Sequence, residues 1–282
     1  MQKRQNEPFD YLCIGHLTWD QDKSGALIGG TAAFSSLTAQ ALGLRAAILT
    51  AGSAQSEQED LNGIEILGKP SSQTTSFHNI ETAQGRMQYI SDNALDISKV
   101  DIPEFLIGQV KILHLGPVAD EVDPGITELF PDAFIGITPQ GWMRRWNEDG
   151  LVSYKPWNPS KEVLRRANAV VFSIEDVSSD EKTIHSLAQL MRILAVTEGK
   201  SGARVYWNGD VRSIHAPEVP VLDTTGAGDI FAAVFFTRLM QGCDPWEAGR
   251  QAVRLASLSV SRRRLKSVPT KQEIQTTMVE IF

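Results

Sequence analysis

Val221-Leu222-Asp223-Thr224-Thr225-Gly226-Ala227-Gly228-Asp229-Ile230-Phe231 decides how the rest of the chain is read. Two apolar residues lead into Asp-Thr-Thr, Gly-Ala-Gly follows, and an acid then opens a long apolar run. Small residues ahead of such a run describe a tight turn feeding a helix N-terminus. The run 230–240 is apolar on nearly every side, which predicts a helix buried along its length. The first N–H groups of a helix have no partner inside it, and the macrodipole places partial positive charge there. Glycines at 226 and 228 let a ligand approach that backbone without meeting a Cβ. Gly226, Ala227 and Gly228 therefore describe an anion hole suited to charge developing on a transferred phosphoryl group. Asp229, at its mouth, is placed to take the proton of a hydroxyl whose oxygen attacks phosphorus. A lone Gly-x-Gly-Asp would read more simply as a helix-start acid favoured by capping and by the dipole.

The full heptapeptide Asp-Thr-Thr-Gly-Ala-Gly-Asp, with the Ile-Phe behind it, is more specific: it resembles the C-terminal motif of the ribokinase/PfkB carbohydrate kinases. The N-terminal half agrees. Tyr11-Leu12-Cys13-Ile14-Gly15 reads as a buried parallel strand, a polar loop leads to Gly29-Gly30, a helix stops at Gly43, and 45–50 is the next strand. In the family the acid after the first strand and the paired glycines lie against sugar hydroxyls, and Asp20, Gly29 and Gly30 fall on those positions. A carboxylate accepts two hydrogen bonds from vicinal hydroxyls, which is the physical case for Asp20. Its neighbours Asp22 and Lys23 allow the plainer reading of a solvated loop acid. Thr18 and Phe34 are weaker candidates for lining the pocket.

The resemblance extends to the nucleotide end. Thr197, Gly199 and Gly202 match the family's Thr-x-Gly-x-x-Gly loop, and Ala256, on a helix with small residues, leaves room for an adenine ring. Where the family commonly has Asn-x-x-Glu for its magnesium and phosphate site, this chain has Ser173 and Asp176. Asp176 is the expected Mg²⁺ holder, through water, with Glu175 as the alternative. Asp223 and Thr225 are expected to add carbonyls to a monovalent-cation site, K⁺ in the family's usage.

Composition sets the limits. With 282 residues and 42% apolar content, the chain suffices for one large α/β domain with a substantial core. No apolar run approaches the roughly 18 residues that suggest a membrane span, and the polar start argues against a secretory signal. A net charge of −7 argues against nucleic acid as the main partner. Cys13 and Cys243 are too few for a disulfide framework and suit a reducing cytoplasm. The five histidines show no metal-ligand spacing.

The thirteen residues between Gly15 and Gly29 are too few for the family's usual strand excursion, so the lid is expected to be small, built mainly from 74–93 as a hairpin turning at Ala83-Gln84-Gly85-Arg86. Arg86 is a candidate for meeting substrate when the lid closes, although an Arg beside a hairpin turn is more often solvated. Gln140, after the strand 133–137, is placed at a ligand-bearing strand end. Trp142, Trp146 and Trp157 read as core packing before substrate stacking. Asn208-Gly209 is a hairpin turn, and Arg262-Arg263-Arg264 reads as a solvated helix C-terminus.

The expected fold is a three-layer α/β/α ribokinase-like fold with a mainly parallel central sheet and a small β lid from about 16–28 and 73–93. The chain 1–282 is expected to form a single kinase domain, cytoplasmic, using ATP and Mg²⁺ on a small sugar or polyol, inositol included, with a homodimer open and no nucleic-acid or membrane partner. Two alternatives stand beside it: a nucleoside kinase of the same fold, which base-stacking aromatics would favour, and a catalytically weak nucleotide- or sugar-binding relative, which Ser173 and Asp176 suggest.

Overall fold

The computed structural model describes residues 8–22, 25–52, 58–82 and 85–278. In chain order the strands are β1 (Phe9–Ile14), β2 (Thr18–Asp22), β3 (Gly25–Gly29), β4 (Ala46–Ala51), β5 (Glu65–Lys69), β6 (Ser76–Thr82), β7 (Gly85–Asp92), β8 (Val110–Leu115), β9 (Phe134–Ile137), β10 (Arg144–Trp146), β11 (Val152–Tyr154), β12 (Ala169–Ser173), β13 (Ile193–Thr197), β14 (Ala203–Trp207) and β15 (Asp210–Ile214). The helices are α1 (Thr31–Ala41), α2 (Lys161–Arg166), α3 (Glu181–Leu190), α4 (Ala227–Met240), α5 (Pro245–Ser259) and α6 (Lys271–Met278).

Nine strands form the main sheet in the order β15-β14-β13-β12-β9-β8-β1-β4-β5. It is parallel from β5 to β13, and β14 pairs antiparallel with both β13 and β15. Alternation along a strand sends side chains to opposite faces, and β1 shows it: Tyr11 and Cys13 join the core shared with α1, α4 and α5, while Leu12 and Ile14 join the core on the other face, with α2 and α3. Both faces are covered, which is why these strands are continuously apolar.

Helix α4 is fixed by packing. Ile230 through Arg238 are buried, and Phe231, Phe235 and Phe236 are each at most 2% exposed. At roughly 1.5–3 kcal/mol per fully buried large apolar side chain, these three rings outweigh any difference in helix propensity. A Cβ on Gly136 of β9 would sit 2.4 Å from the Phe236 ring, so the strand offers that helix a flat, close seat. Asn208 and Gly209 both have positive φ, 51° and 77°, as the hairpin turn between β14 and β15 requires.

A second sheet, β3-β2-β6-β7, forms the lid. Here the expectation is corrected: the short segment after Gly15 holds two strands, β2 and β3, paired in register from Thr18↔Gly29 to Asp22↔Gly25. Thirteen residues are enough because β2 follows β1 almost at once. Helix α5 ends at Ser259, ahead of the three arginines read as its C-terminus. Trp142 stacks on Trp157 at 5.8 Å and its indole N–H donates to the Val122 carbonyl at 2.9 Å, so this pair is core.

Candidate active site

The C-terminal ends of the parallel strands converge on a cavity of about 1170 Å³ beneath the lid. Thr138 follows β9, Ser173 ends β12 and Thr197 ends β13, in the arrangement expected for ligand sites of open α/β sheets. A separate depression of about 810 Å³, at Val110, Lys111 and Phe134, lies at the opposite ends of β8 and β9.

The anion turn forms the floor. Gly226 is the N-cap of α4 at φ 80°, and a Cβ there would lie 2.2 Å from the Phe34 ring of α1. That position is therefore glycine for the sake of helix packing and a left-handed backbone, whereas nothing lies within 4 Å of a Cβ on Gly228, where the space is open. The Ala227 N–H is engaged, donating to the Thr224 carbonyl at 3.2 Å, and the first intrahelical bond runs from the Ile230 N–H to the Gly226 carbonyl. Gly228 and Asp229 thus present the unpartnered first-turn N–H groups that the macrodipole makes attractive to an anion. Asp223 opens the turn by accepting from the Thr225 N–H at 2.9 Å and the Arg264 N–H at 3.0 Å, which together with the Arg264 charge hold its carboxyl below the usual range despite partial burial.

Asp229 lines the cavity yet is ringed by protein, and burial pushes its carboxyl up to about 6. A hydrogen bond with Thr31 and the charge of Arg144 pull the other way; the charges of Asp176 and Asp20 add to the rise. The Ser35 hydroxyl donates to the Asp229 carbonyl at 3.2 Å and so ties α1 to this end of α4.

Asp20, Thr18, Gly30, Phe34 and Gln140 line the same cavity, joined by Phe77, Gln88, Thr138 and Arg144. The Thr18 hydroxyl donates to Asp20 Oδ1 at 3.1 Å, and a Cβ on Gly29 would lie 2.5 Å from Asp20 Oδ2. Gly29 is thus the platform on which the carboxylate rests. Gly30, at φ 89°, starts α1 with no room for a side chain against the His16 carbonyl. Arg144 donates to the Val118 carbonyl at 2.9 Å and sits 5.4 Å from the centroid of the Phe77 ring. The side chain of Arg86 lies outside the described residues.

At the other end, Thr197, Gly199, Lys200 and Gly202 meet Val219, Val221, Thr225, Val253, Ala256 and Val260 around an apolar slot. Asp176 lines the cavity with one hydrogen bond on each oxygen, from Gln140 Nε2 at 2.9 Å and from the Ser173 N–H at 2.8 Å, which leaves further lone pairs for a metal-bound water. Glu175 is exposed and also lines the cavity, so both candidate carboxylates are present there. These carboxylates beside a phosphate-sized anion hole fit Mg²⁺, which is commonly held by one or two carboxylates, substrate phosphates and its own waters. Among the described residues no group of three or more His, Cys, Asp or Glu is arranged to hold a metal alone.

Sequence reasoning missed Arg144, Arg264 and Glu121. The three arginines 262–264 are not a solvated helix end: α5 stops at Ser259, Arg262 pairs with Glu273 at 2.6 Å, and Arg264 reaches Asp20 at 3.3 Å. Glu121, 1% exposed, accepts from the N–H groups of His16, Val118 and Ala119 at 2.7–3.1 Å and pins the ends of β1 and β8 under the lid. In the sequence it is one acid of Asp120-Glu121-Val122-Asp123, with nothing to set it apart from its neighbours.

The architecture is that of an open α/β protein with its largest described cavity at the C-terminal ends of the parallel strands. A family model described as "pfkB family carbohydrate kinase" matches residues 165–271. The chain is 42% identical over 85 residues to ribokinase of Bacillus subtilis (29% of this chain, 28% of that protein) and 29% identical over 193 residues to inositol 3-kinase of Zea mays (63% and 48%). These matches span at most about half the length of either relative. A pyrophosphate-dependent kinase of the ribokinase family, solved with a pyrophosphate analogue and myo-inositol, superposes with a TM-score of 0.77 at 17% identity, covering 94% of this chain and 99% of that one. The chain is thus similar to the ribokinase/PfkB carbohydrate kinases, through the family model over residues 165–271 and through its fold over nearly the whole length. Among the described residues no helix is long and apolar enough to cross a membrane.

Proposed function

We propose that the protein is an ATP-dependent kinase that phosphorylates a hydroxyl of a sugar or ring polyol, with the chain 1–282 acting as one kinase domain. The observation that carries this reading is the place of Asp229, raised to about 6, at the junction of an apolar slot, an anion turn and a polar acceptor pocket. The acceptor lies against Asp20, Thr18, Gly30 and Gln140. Its hydroxyl gives its proton to Asp229 as the oxygen attacks the terminal phosphorus; the bond to the bridging oxygen breaks, and ADP leaves with that electron pair. The free first-turn N–H groups, and Gly226 and Ala227 through the shape they give the turn, stabilise charge on the transferred group. Thr197, Gly199, Gly202, Thr225 and Ala256 hold the nucleotide, with Val219, Val253 and Val260 against its base. Asp176 and Glu175 would hold Mg²⁺, which when bound neutralises phosphate charge.

The apolar slot favours a nucleotide donor, since pyrophosphate has nothing to place there; the pyrophosphate-dependent relative makes that donor the rival to test. A nucleoside acceptor is disfavoured because Trp142 and Trp157 stack on each other instead of on the cavity. The decisive experiment measures phosphoryl transfer from Mg-ATP and from pyrophosphate to sugars, inositols and nucleosides, with Asp229→Asn alongside and K⁺ exchanged for Na⁺. Turnover of a polyol with ATP, lost in the variant, supports the reading. Binding of ATP with no turnover of any acceptor would favour a binding relative, and failure to bind either donor would end the proposal.

A further inference from the structure

Arg264 joins two parts of the site that are otherwise separate. Its backbone N–H donates to Asp223 Oδ2 at the start of the anion turn, and its guanidinium reaches Asp20 Oδ2 on lid strand β2 at 3.3 Å. The residue is held at φ 53°, in the left-handed region that residues with a Cβ rarely adopt. Both partners are largely enclosed, at 20% and 13% side-chain exposure. Asp20 lines the cavity and Arg264 does not. With the Thr18 hydroxyl on Oδ1 and Gly29 packed behind, the carboxylate is clamped from three sides.

We propose that Arg264 is a positioning residue for the acceptor: it locks Asp20 of the lid to the turn that opens with Asp223, so that hydroxyls bound by Asp20 are delivered in line with Asp229. The proposal rests on the reading of Asp20 as the acceptor-binding acid. It also bears on substrate class. Asp20 is matched by Arg264, and the charge of Arg144 acts on Asp229. With Asp176 also acting on Asp229, three carboxylates outnumber the two guanidiniums, which suits an uncharged polyol over a sugar acid or a sugar phosphate. A loose lid acid would cost acceptor affinity and alignment together, while leaving the nucleotide slot untouched.

The test uses the full chain with Arg264→Gly, Arg264→Lys and Asp20→Asn. Glycine suits φ 53° and keeps the N–H bond to Asp223 while removing the arm, so thermal stability is expected to hold. The acceptor KM should rise by about tenfold or more, as for loss of a charge-assisted bond, with the KM for ATP unchanged and partial rescue by lysine. An acceptor KM within about twofold of the parent, or an equal rise for ATP, would overturn the proposal. A fall in acceptor KM would overturn it too, by showing that the arm competes with substrate. If Asp20→Asn leaves the acceptor KM unchanged while Asp229→Asn abolishes turnover, the positioning idea fails and the kinase reading survives. Should no polyol turn over, amide hydrogen exchange of 18–22 decides: faster exchange in Arg264→Gly supports the lock, and unchanged exchange refutes it.

Discussion

The two halves of the cavity are built differently. The side proposed for transfer is one contiguous stretch, Asp223 to Asp229, which offers backbone N–H donors and a single carboxylate at the start of α4. The side proposed for the acceptor is assembled from side chains spread over the chain: Asp20 on β2, Gln88 on β7, Thr138 and Gln140 after β9, Arg144 on β10, and Arg264 behind Asp20. A turn sets the direction of its own N–H groups, so a backbone-built site travels with its local sequence. A side-chain site exists only once distant elements have been brought to one place.

That contrast can be broken or sharpened by experiment. Asp229→Asn should leave the fold intact and lower kcat by about 10²–10⁴-fold, the usual worth of a general base; steady-state turnover checks it, and retention of activity would remove the transfer side from the argument. Gly226→Ala should destabilise by roughly 3 kcal/mol, combining a clash with Phe34 and a left-handed backbone. Its partner Gly228→Ala, with open space around the new methyl, should stay within about 0.5 kcal/mol of the parent in denaturant melts and act on turnover alone. Equal losses of stability would mean that the two glycines are not distinguished as described.

On the acceptor side, Glu121→Gln replaces a carboxylate that satisfies three buried N–H groups and should cost about 2 kcal/mol in urea unfolding. The smallest effect is the most diagnostic. Because the working form of Asp229 is the ionised one, kcat/KM should fall about tenfold per pH unit below about 6 and level off above it. Arg144 favours that ionised form, so Arg144→Met should move the acid limb to higher pH. A limb that does not move would separate Arg144 from the base.

Much of the fold was legible. The continuous apolar strands, the Asn208-Gly209 turn, the all-round apolar helix and Gly43 each carry a short-range rule, and each appears where that rule puts it. The segment 16–28 was misjudged because length alone does not count strands: a hairpin needs few residues when its first strand follows directly from the sheet. That Asp176 is tied to the Ser173 N–H and to Gln140 was not legible, because Gln140 lies 36 residues away. Arg264 looked like a helix end because its partner Asp20 lies 244 residues away.

By itself, the sequence determined the parallel α/β sheet, the anion turn and the acid that opens α4, since period, turn chemistry and helix-end electrostatics act over a few residues. Only the tertiary structure decided what Asp176 bonds to, that Arg144 lines the cavity with Arg264 behind Asp20, and that Gly226 answers to Phe34. Those outcomes depend on which side chains compete for the same donors and the same space, and that competition begins when the chain has folded.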